Sequence, residues 1–270
     1  MCLRDSIGTR HSHPSLLVYL ATRFIADGWS IKALHKRILL SRVYQQTSLI
    51  NPANVQRALE IDPENRLLWK YPRRRLEAEM IRDSLLSASG TLNTDYLGGG
   101  ELVMQLYDAG ETVDRDLGLA SVANQYQIAA FASPRRSVYL PVIRNAQNEI
   151  MAVFDAADAN AVTTRRTESV VSTQTSFLLN SPFVASLAEQ FAQRLLAEEN
   201  RDDTARIQHG YWIALGRAAS PAEANDASQF IDTYRNETLA AGVAAADARL
   251  ASWKSFCQFL FCLNEFVYVD

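Results

Sequence analysis

Apolar side chains recur at three- and four-residue intervals through much of this 270-residue chain, a spacing that only helices with one buried face can use. After Pro14, a residue suited to the first helical position, Leu17, Leu20, Ala21, Phe24 and Ile25 follow the i, i+3, i+4, i+7, i+8 pattern, and Gly28 is placed to close the helix. Ser30 can cap a second helix with the stripe Ile31, Leu34, Ile38 and Leu39, running to about Gln46, so that Asp27-Gly28-Trp29-Ser30 reads as the turn of an αα-hairpin. A third long helix is expected from about Arg73 to Ser89, with Leu76, Met80, Ile81, Leu85 and Ala88 inward and Gly90 just past its end.

Further along, a short helix is expected between Asn145 and Phe154. A longer one starts at Ser181-Pro182 and turns Val184, Leu187, Ala188, Phe191 and Leu195 inward. Helices follow at about 203–215, ended by Gly216, at 221–236, and at about 246–264, where Trp253, Phe256, Cys257 and Leu260 are the core candidates. Ser220-Pro221-Ala222-Glu223 is a capping box with Pro at the first helical position, a specific start signal.

Between these segments, residues 48–63 read as loop, with Asn51-Pro52 and Asp62-Pro63 as breakers. Residues 91–134 carry no sustained period and resemble a variable insertion. Their Gly98-Gly99-Gly100 lacks the Lys and Ser/Thr of a phosphate loop, so it reads as a flexible turn. Val138 to Ile143 is the strand candidate, demoted to an edge or extended segment by Pro141, and residues 155–168 read as an ordered loop. No strand–helix–strand alternation occurs. The expected fold is mainly α: a single multi-helix domain over residues 1–270, with long ordered loops and at most one short β-like extended pair.

Hydrophobic residues make up 48% of the chain, enough to bury a sizeable core at this length. The formal charge of 27 − 30 = −3 argues against a dedicated nucleic-acid binder, which needs a basic face. No apolar run approaches the roughly 20 residues that span a bilayer, and residues 1–20 lack the order of a signal peptide. Of the three cysteines, Cys2, Cys257 and Cys262, the last two stand five apart in one expected helix and point to different faces, so core thiols are expected rather than a disulfide. His11 and His13 can chelate a metal only with carboxylates from elsewhere; His35 and His209 stand apart from them.

The spacings of a haem attachment site, a zinc-protease helix, a nucleophile elbow or a Cys-x-x-Cys pair are absent. Two polar constellations remain. Arg135, Arg136, Arg144, Arg165 and Arg166 fall where the chain is loop or extended, and guanidinium forks that converge there can hold a carboxylate, sulfate or phosphate. Alternatively each arginine ties a long loop to the helical body through backbone carbonyls or through Asp155, Asp158 and Glu168. The second constellation is Arg75, Glu79, Arg82 and Asp83, spaced so that opposite charges meet at i+3 and i+4; a solvated ion-pair face is the default for it, and a buried version would be a packing determinant.

A set of short runs in a fixed order gives a family resemblance. It comprises His13-Pro14, Gly28-Trp29-Ser30-Ile31-Lys32, the run Asp62-Pro63-Glu64-Asn65-Arg66-Leu67-Leu68-Trp69, and Arg74-Arg75-Leu76-Glu77-Ala78-Glu79 with Arg82-Asp83. It continues with Arg136-Ser137-Val138-Tyr139, Phe154-Asp155, Arg165-Arg166, Gln174, Leu179-Asn180, Gly216-Arg217 and Asn264-Glu265-Phe266. In these the chain resembles the planctomycete-specific C-terminal domain of unknown function.

The resemblance implies a large exported protein, periplasmic or at the cell surface, with a cytochrome-c-like domain and a further uncharacterised domain upstream as the partners of this one. It also implies that the chain is N-terminally truncated, with residues 1–7 foreign to the domain. Arg74, Arg75, Glu79, Arg82, Asp83, Asp155, Gln174 and Asn180 are then expected to form a structural polar network, and no catalytic residue, metal or cofactor is assigned. Two function classes follow: a non-catalytic helical module that docks to upstream domains and binds anionic or polysaccharide ligands, or a hydrolytic or redox enzyme whose site is completed upstream. Convergence of these polar residues in one concave pocket favours a site, whereas scattered pairs sealing loops favour a scaffold.

Overall fold

The computed structural model describes residues 12–48, 52–95, 133–140, 142, 148–160, 166, 169–198 and 200–269. Cys2, His11, Gly98 to Gly100, Pro141, Arg144 and Arg165 lie outside the described residues. The architecture is mainly α, with eleven α-helices among the described residues and a two-strand pair of two residues each. The chain divides into two compact units, one up to Arg74 and one from Arg75 to Val269.

In the first unit α1 (Pro14–Ala26) and α2 (Ile31–Leu39) form the expected hairpin. Gly28 takes a left-handed φ of 68° and donates to Ile25 O (3.1 Å), while Trp29 N donates to Phe24 O (2.9 Å). That pairing satisfies the end carbonyls of α1 and sets the Trp29 ring edge-on to Phe24, 5.3 Å between centroids. Ser30 caps α2 through Ala33 N, and Arg37 clamps back onto Asp27 at 2.7 Å. α2 stops at Leu39, short of Gln46, because the Ser41 hydroxyl donates to Ile38 O (2.7 Å) and accepts from Tyr44 N (3.2 Å), which diverts the backbone into turns.

The expected loop at 48–63 contains a helix, α3 (Pro52–Ile61). Its two prolines bracket the element instead of breaking it, Pro52 filling the first turn and Pro63 following the end. Past Ile61, buried Asp62 accepts from Arg66 N (2.9 Å) and Leu67 N (2.7 Å), and its carbonyl accepts from Trp69 Nε1 (2.9 Å), which folds the Asp62 to Trp69 run into a compact turn.

The second unit is organised by α10 (Ala245–Cys262), which packs against α6 (Ser172–Asn180), α7 (Pro182–Leu196), α8 (Asp203–Leu215) and α9 (Pro221–Ala240). Val184, Leu187, Ala188, Phe191 and Leu195 of α7 and Trp253, Phe256, Cys257 and Leu260 of α10 are all buried, as their spacing predicts. Phe191 stacks on Phe261 at 5.7 Å and Trp253 meets Phe256 edge-on at 5.7 Å. Gly210 of α8 lets the helix approach closely, since an added Cβ would stand 3.3 Å from Phe256 and 3.4 Å from Leu195. Cys257 is fully enclosed, and burial pushes its thiol well up; half-buried Cys262 is raised to about 11 for the same reason.

Against this body lies α4 (Ala78–Ser89), with Ile81, Leu85 and Ala88 in the core. Gly90 ends it in the left-handed region at φ 82°, and Arg194 of α7 donates to Ser87 O and Ala88 O (3.0 Å each), placing a cation at its negative end. Two parts of the expectation for this helix do not hold. It begins at Ala78, because Arg74–Arg75 forms a strand (β1) paired with Tyr268–Val269 (β2) and Leu76 N donates to Val267 O (2.8 Å). Met80 is also 52% exposed while Arg82 is fully buried, a reversal explained by the acceptors that surround the guanidinium.

Smaller differences concern the loops. Ser137–Tyr139 is a 3-10 turn where a strand was expected, since Tyr139 N donates to Arg136 O (3.0 Å). The helix expected from Asn145 is α5 (Glu149–Val153), started by the Asn148 side chain on Ile150 N (3.1 Å). α6 was not anticipated. A last short helix, α11 (Asn264–Val267), follows α10.

Replacing Trp253 by Ala should lower the stability of this unit by about 3–5 kcal/mol, because an aromatic with no exposed surface leaves a cavity its helical neighbours cannot fill. Urea unfolding followed by circular dichroism measures it; a loss below about 1 kcal/mol would mean the α7–α10 interface is not the core.

Candidate functional site: an arginine and carboxylate network

Most of the polar residues singled out in the sequence and described in the structure fall into three groups on or near α4. In the first, Arg75 donates from Nη2 to Asp155 Oδ2 (2.7 Å) and Phe154 O (3.3 Å), and from Nη1 to Ser169 O. Asp155 in turn accepts from the Ser169 amide (2.8 Å) and hydroxyl (2.9 Å), and Gln174 Nε2 donates to Val153 O and Ser169 O (3.1 Å each). Asp155 itself is held at φ 56°, a conformation unusual for a residue with a side chain and one these bonds enforce. Burial alone would raise the Asp155 carboxyl; the Ser169 amide, the Arg75 guanidinium and the Ser169 hydroxyl outweigh it and hold the group below its ordinary range.

The second group is centred on Arg82. Its Nη1 donates to Arg135 O (2.9 Å) and Ser137 Oγ (3.2 Å), and its Nη2 to Ser133 O (2.6 Å). Neighbouring Asp83 grips the same segment, with Oδ1 accepting from the Ser137 amide (2.7 Å) and hydroxyl (2.6 Å). Burial pulls the Arg82 guanidinium down to about 10, against the opposing pull of Asp83 3.8 Å away, so it stays cationic at neutral pH. A single helical turn thus carries a cation and an anion that together hold the 133–137 segment by backbone and hydroxyl groups.

In the third group Arg166 forks onto Glu79 (2.6 and 2.9 Å) and reaches Glu77 at 3.2 Å. Burial works to raise the Glu79 carboxyl, and the Arg166 fork overcomes it, leaving the group lowered.

The five arginines of the anion-pocket reading are accordingly placed as follows. Arg135 donates to Asn93 Oδ1 (3.0 Å) and stands 3.7 Å from Asp95; Arg136 is half exposed, 3.8 Å from Asp83; Arg166 lies on the Glu77 and Glu79 side of α4; Arg144 and Arg165 are outside the described residues. Of the expected network, Arg75, Asp155 and Gln174 form one group and Arg82 with Asp83 another, while Glu79 pairs with Arg166. Arg74 is exposed, and among the described residues Asn180 bonds only its own helix, at Ser176.

One constellation was not assigned from the sequence. Arg217, in the loop before α9, forks onto Glu223 (2.9 and 2.7 Å) and onto Glu265 of α11 (2.6 and 2.9 Å), and lies 5.5 Å over the Tyr211 ring. Glu223 also closes its capping box by accepting from Ser220 N (2.8 Å). Arg217 first, then Ser220, hold the Glu223 carboxyl down to about 2 despite partial burial. The signals were present in Gly216-Arg217, Ser220 to Glu223 and Glu265, but the capping box accounts for Glu223 alone.

Among the described residues no three or more His, Cys, Asp and Glu side chains gather as a metal site would require, and no helix is long and apolar enough to cross a membrane. A family described as a protein of unknown function, DUF1553, matches residues 5–231. No curated protein and no solved structure matches the chain.

Two outcomes check this network. Arg82→Ala should cost about 3–5 kcal/mol in urea unfolding, since it strands the acceptors at Ser133 O, Arg135 O and Ser137 Oγ, and Arg82→Lys should recover only part of it because one ammonium cannot serve three separated acceptors. Glu223 is lowered on folding, so its contribution is complete above its reference value of 4.5 and is lost as pH falls through about 2. Wild-type urea midpoints should therefore drop more steeply between those values than midpoints of Glu223→Gln; parallel curves would remove the Arg217 pairing as their cause.

Proposed function

Because the chain belongs to the DUF1553 family of proteins of unknown function, we propose from its own geometry that it is a non-catalytic helical module that docks to other domains of a larger protein. The observation that carries this reading is the use of its arginines. Arg135, Arg136 and Arg166, placed in the loop region that suggested an anion pocket, each face a carboxylate of this same chain, and Arg75 of β1 and Arg82 of α4 donate to backbone carbonyls of loops remote in sequence. A free anion would have to displace Glu79 from Arg166, exchanging a two-bond pair for a similar one.

Docking is supported by the first unit. α1 buries no residue, and Leu17, Ile25, Ile31 and Leu39 of the α1–α2 hairpin are each between 48% and 63% exposed, although their spacing is that of a buried stripe. The larger protein in this proposal is the exported, planctomycete-type chain with a cytochrome-c-like domain that the sequence resemblance implies. Its preceding domains are the partner, and polysaccharide or anionic ligands fall to the assembled protein.

The test mixes this chain with separately produced preceding domains of a longer family member and measures association by calorimetry. Binding is expected, weakened at least about tenfold by the paired substitution Leu17→Glu and Ile31→Glu. Absence of binding between folded partners, or binding indifferent to the substitutions, overturns the docking face.

A further inference from the structure

Away from α4, a cleft of about 240 Å³ opens between α8, α9 and α10. Its floor is made by the buried rings of Tyr211 and Phe256, 6.3 Å apart, and its walls by Phe230 and Phe259, which are 43% and 50% exposed. Four aromatic rings from three helices around one small concavity are more than core packing requires, because two of them leave half their surface in water. Phe230 is also backed one turn on by Tyr234, at 6.1 Å, which props the outer wall.

The rim of this aromatic cleft is acidic. Glu223 and Asp226 stand one turn apart on α9 at its edge. Glu223 is compensated by Arg217, whereas the Asp226 side chain makes no ion pair or hydrogen bond among the described residues. Arg217 pairs with Glu223 and Glu265, so two carboxylates share its one guanidinium and Asp226 is left outside the pairing. The field reaches the floor: the Tyr211 phenol is raised first by burial and next by Glu223, with Glu265 and Asp226 acting in the same direction against Arg217. Aromatic faces and an uncompensated carboxylate attract the same kind of guest, a cation with an apolar body. An anion is repelled by the ring faces and by the carboxylate alike, and an uncharged apolar guest gains from the rings alone.

We propose that the cleft bounded by Tyr211, Phe230, Phe256 and Phe259 binds an alkylammonium group, with Asp226 as its counter-ion. The size suits a single trimethylammonium or lysine-type head, being below the roughly 300 Å³ at which drug-sized pockets begin. The guest is either a small free ammonium compound or a methylated lysine on a peptide, and the two share this chemistry. The site is independent of the docking face, since none of its residues belongs to α1 or α2.

The experiment titrates the purified chain by calorimetry with choline chloride, with its uncharged carbon isostere dimethylbutanol, and with a peptide bearing trimethyl-lysine, all at constant ionic strength. Saturable binding of choline or the peptide is expected, with the isostere weaker by about tenfold and with Asp226→Asn and Phe259→Ala each weakening the cation by a similar factor. Whichever of choline and peptide binds more tightly identifies the source of the head group. Phe230→Ala gives an independent variant, because its exposed ring can be removed without opening the core. No saturable binding of either cation, equal binding of the isostere, or affinity unchanged in Asp226→Asn overturns the proposal.

Discussion

A guanidinium with no exposed surface is the constraint around which the second unit is built. Arg82 occupies the interior with Ser133 O, Arg135 O and Ser137 Oγ meeting it there, and a buried charge without such partners would be expelled or neutralised. Those partners lie more than fifty positions along the chain, so their return to α4 is a condition for α4 to dock at all. Asp83 makes the requirement mutual, since the same segment supplies the donors that satisfy its carboxylate. The helix is thus greasy on one side, where Ile81 and Leu85 enter the core, and locked on another by charge-assisted bonds.

The helices of the core could be read from spacing alone because their apolar stripes are long and their ends are marked. Gly28, Gly90 and Gly216 each sit where a left-handed residue ends a helix, and the Ser220 capping box opens α9 as written. α3 was hidden because its flanking prolines look identical whether they interrupt a loop or bracket a helix. The end of α2 was hidden because the Ser41 hydroxyl competes for the backbone over a range that apolar periodicity does not register.

The polar sites were legible as residues but not as partnerships. Spacing put Arg75, Glu79, Arg82 and Asp83 on neighbouring turns, yet whether such a face meets water or protein depends on segments remote in sequence. Met80 and Arg82 exchanged their expected environments for this reason: a short-range pattern assigns the hydrophobic residue inward, and a distant set of carbonyls reverses the outcome. The same remoteness concealed the Arg217 cluster, which joins a loop to a helix forty-eight positions later, and the cleft of rings beside it.

Cys257 lends the molecule an internal clock. Its thiol is sealed between the packed helices and held protonated, so a thiolate-seeking reagent reaches it only when α10 separates from its neighbours. The half-covered Cys262, a little over one turn along the same helix, offers a second reading from the rim of that interface. The difference between the two labelling rates, resolved by peptide mass, separates fraying of the helix end from opening of the whole core.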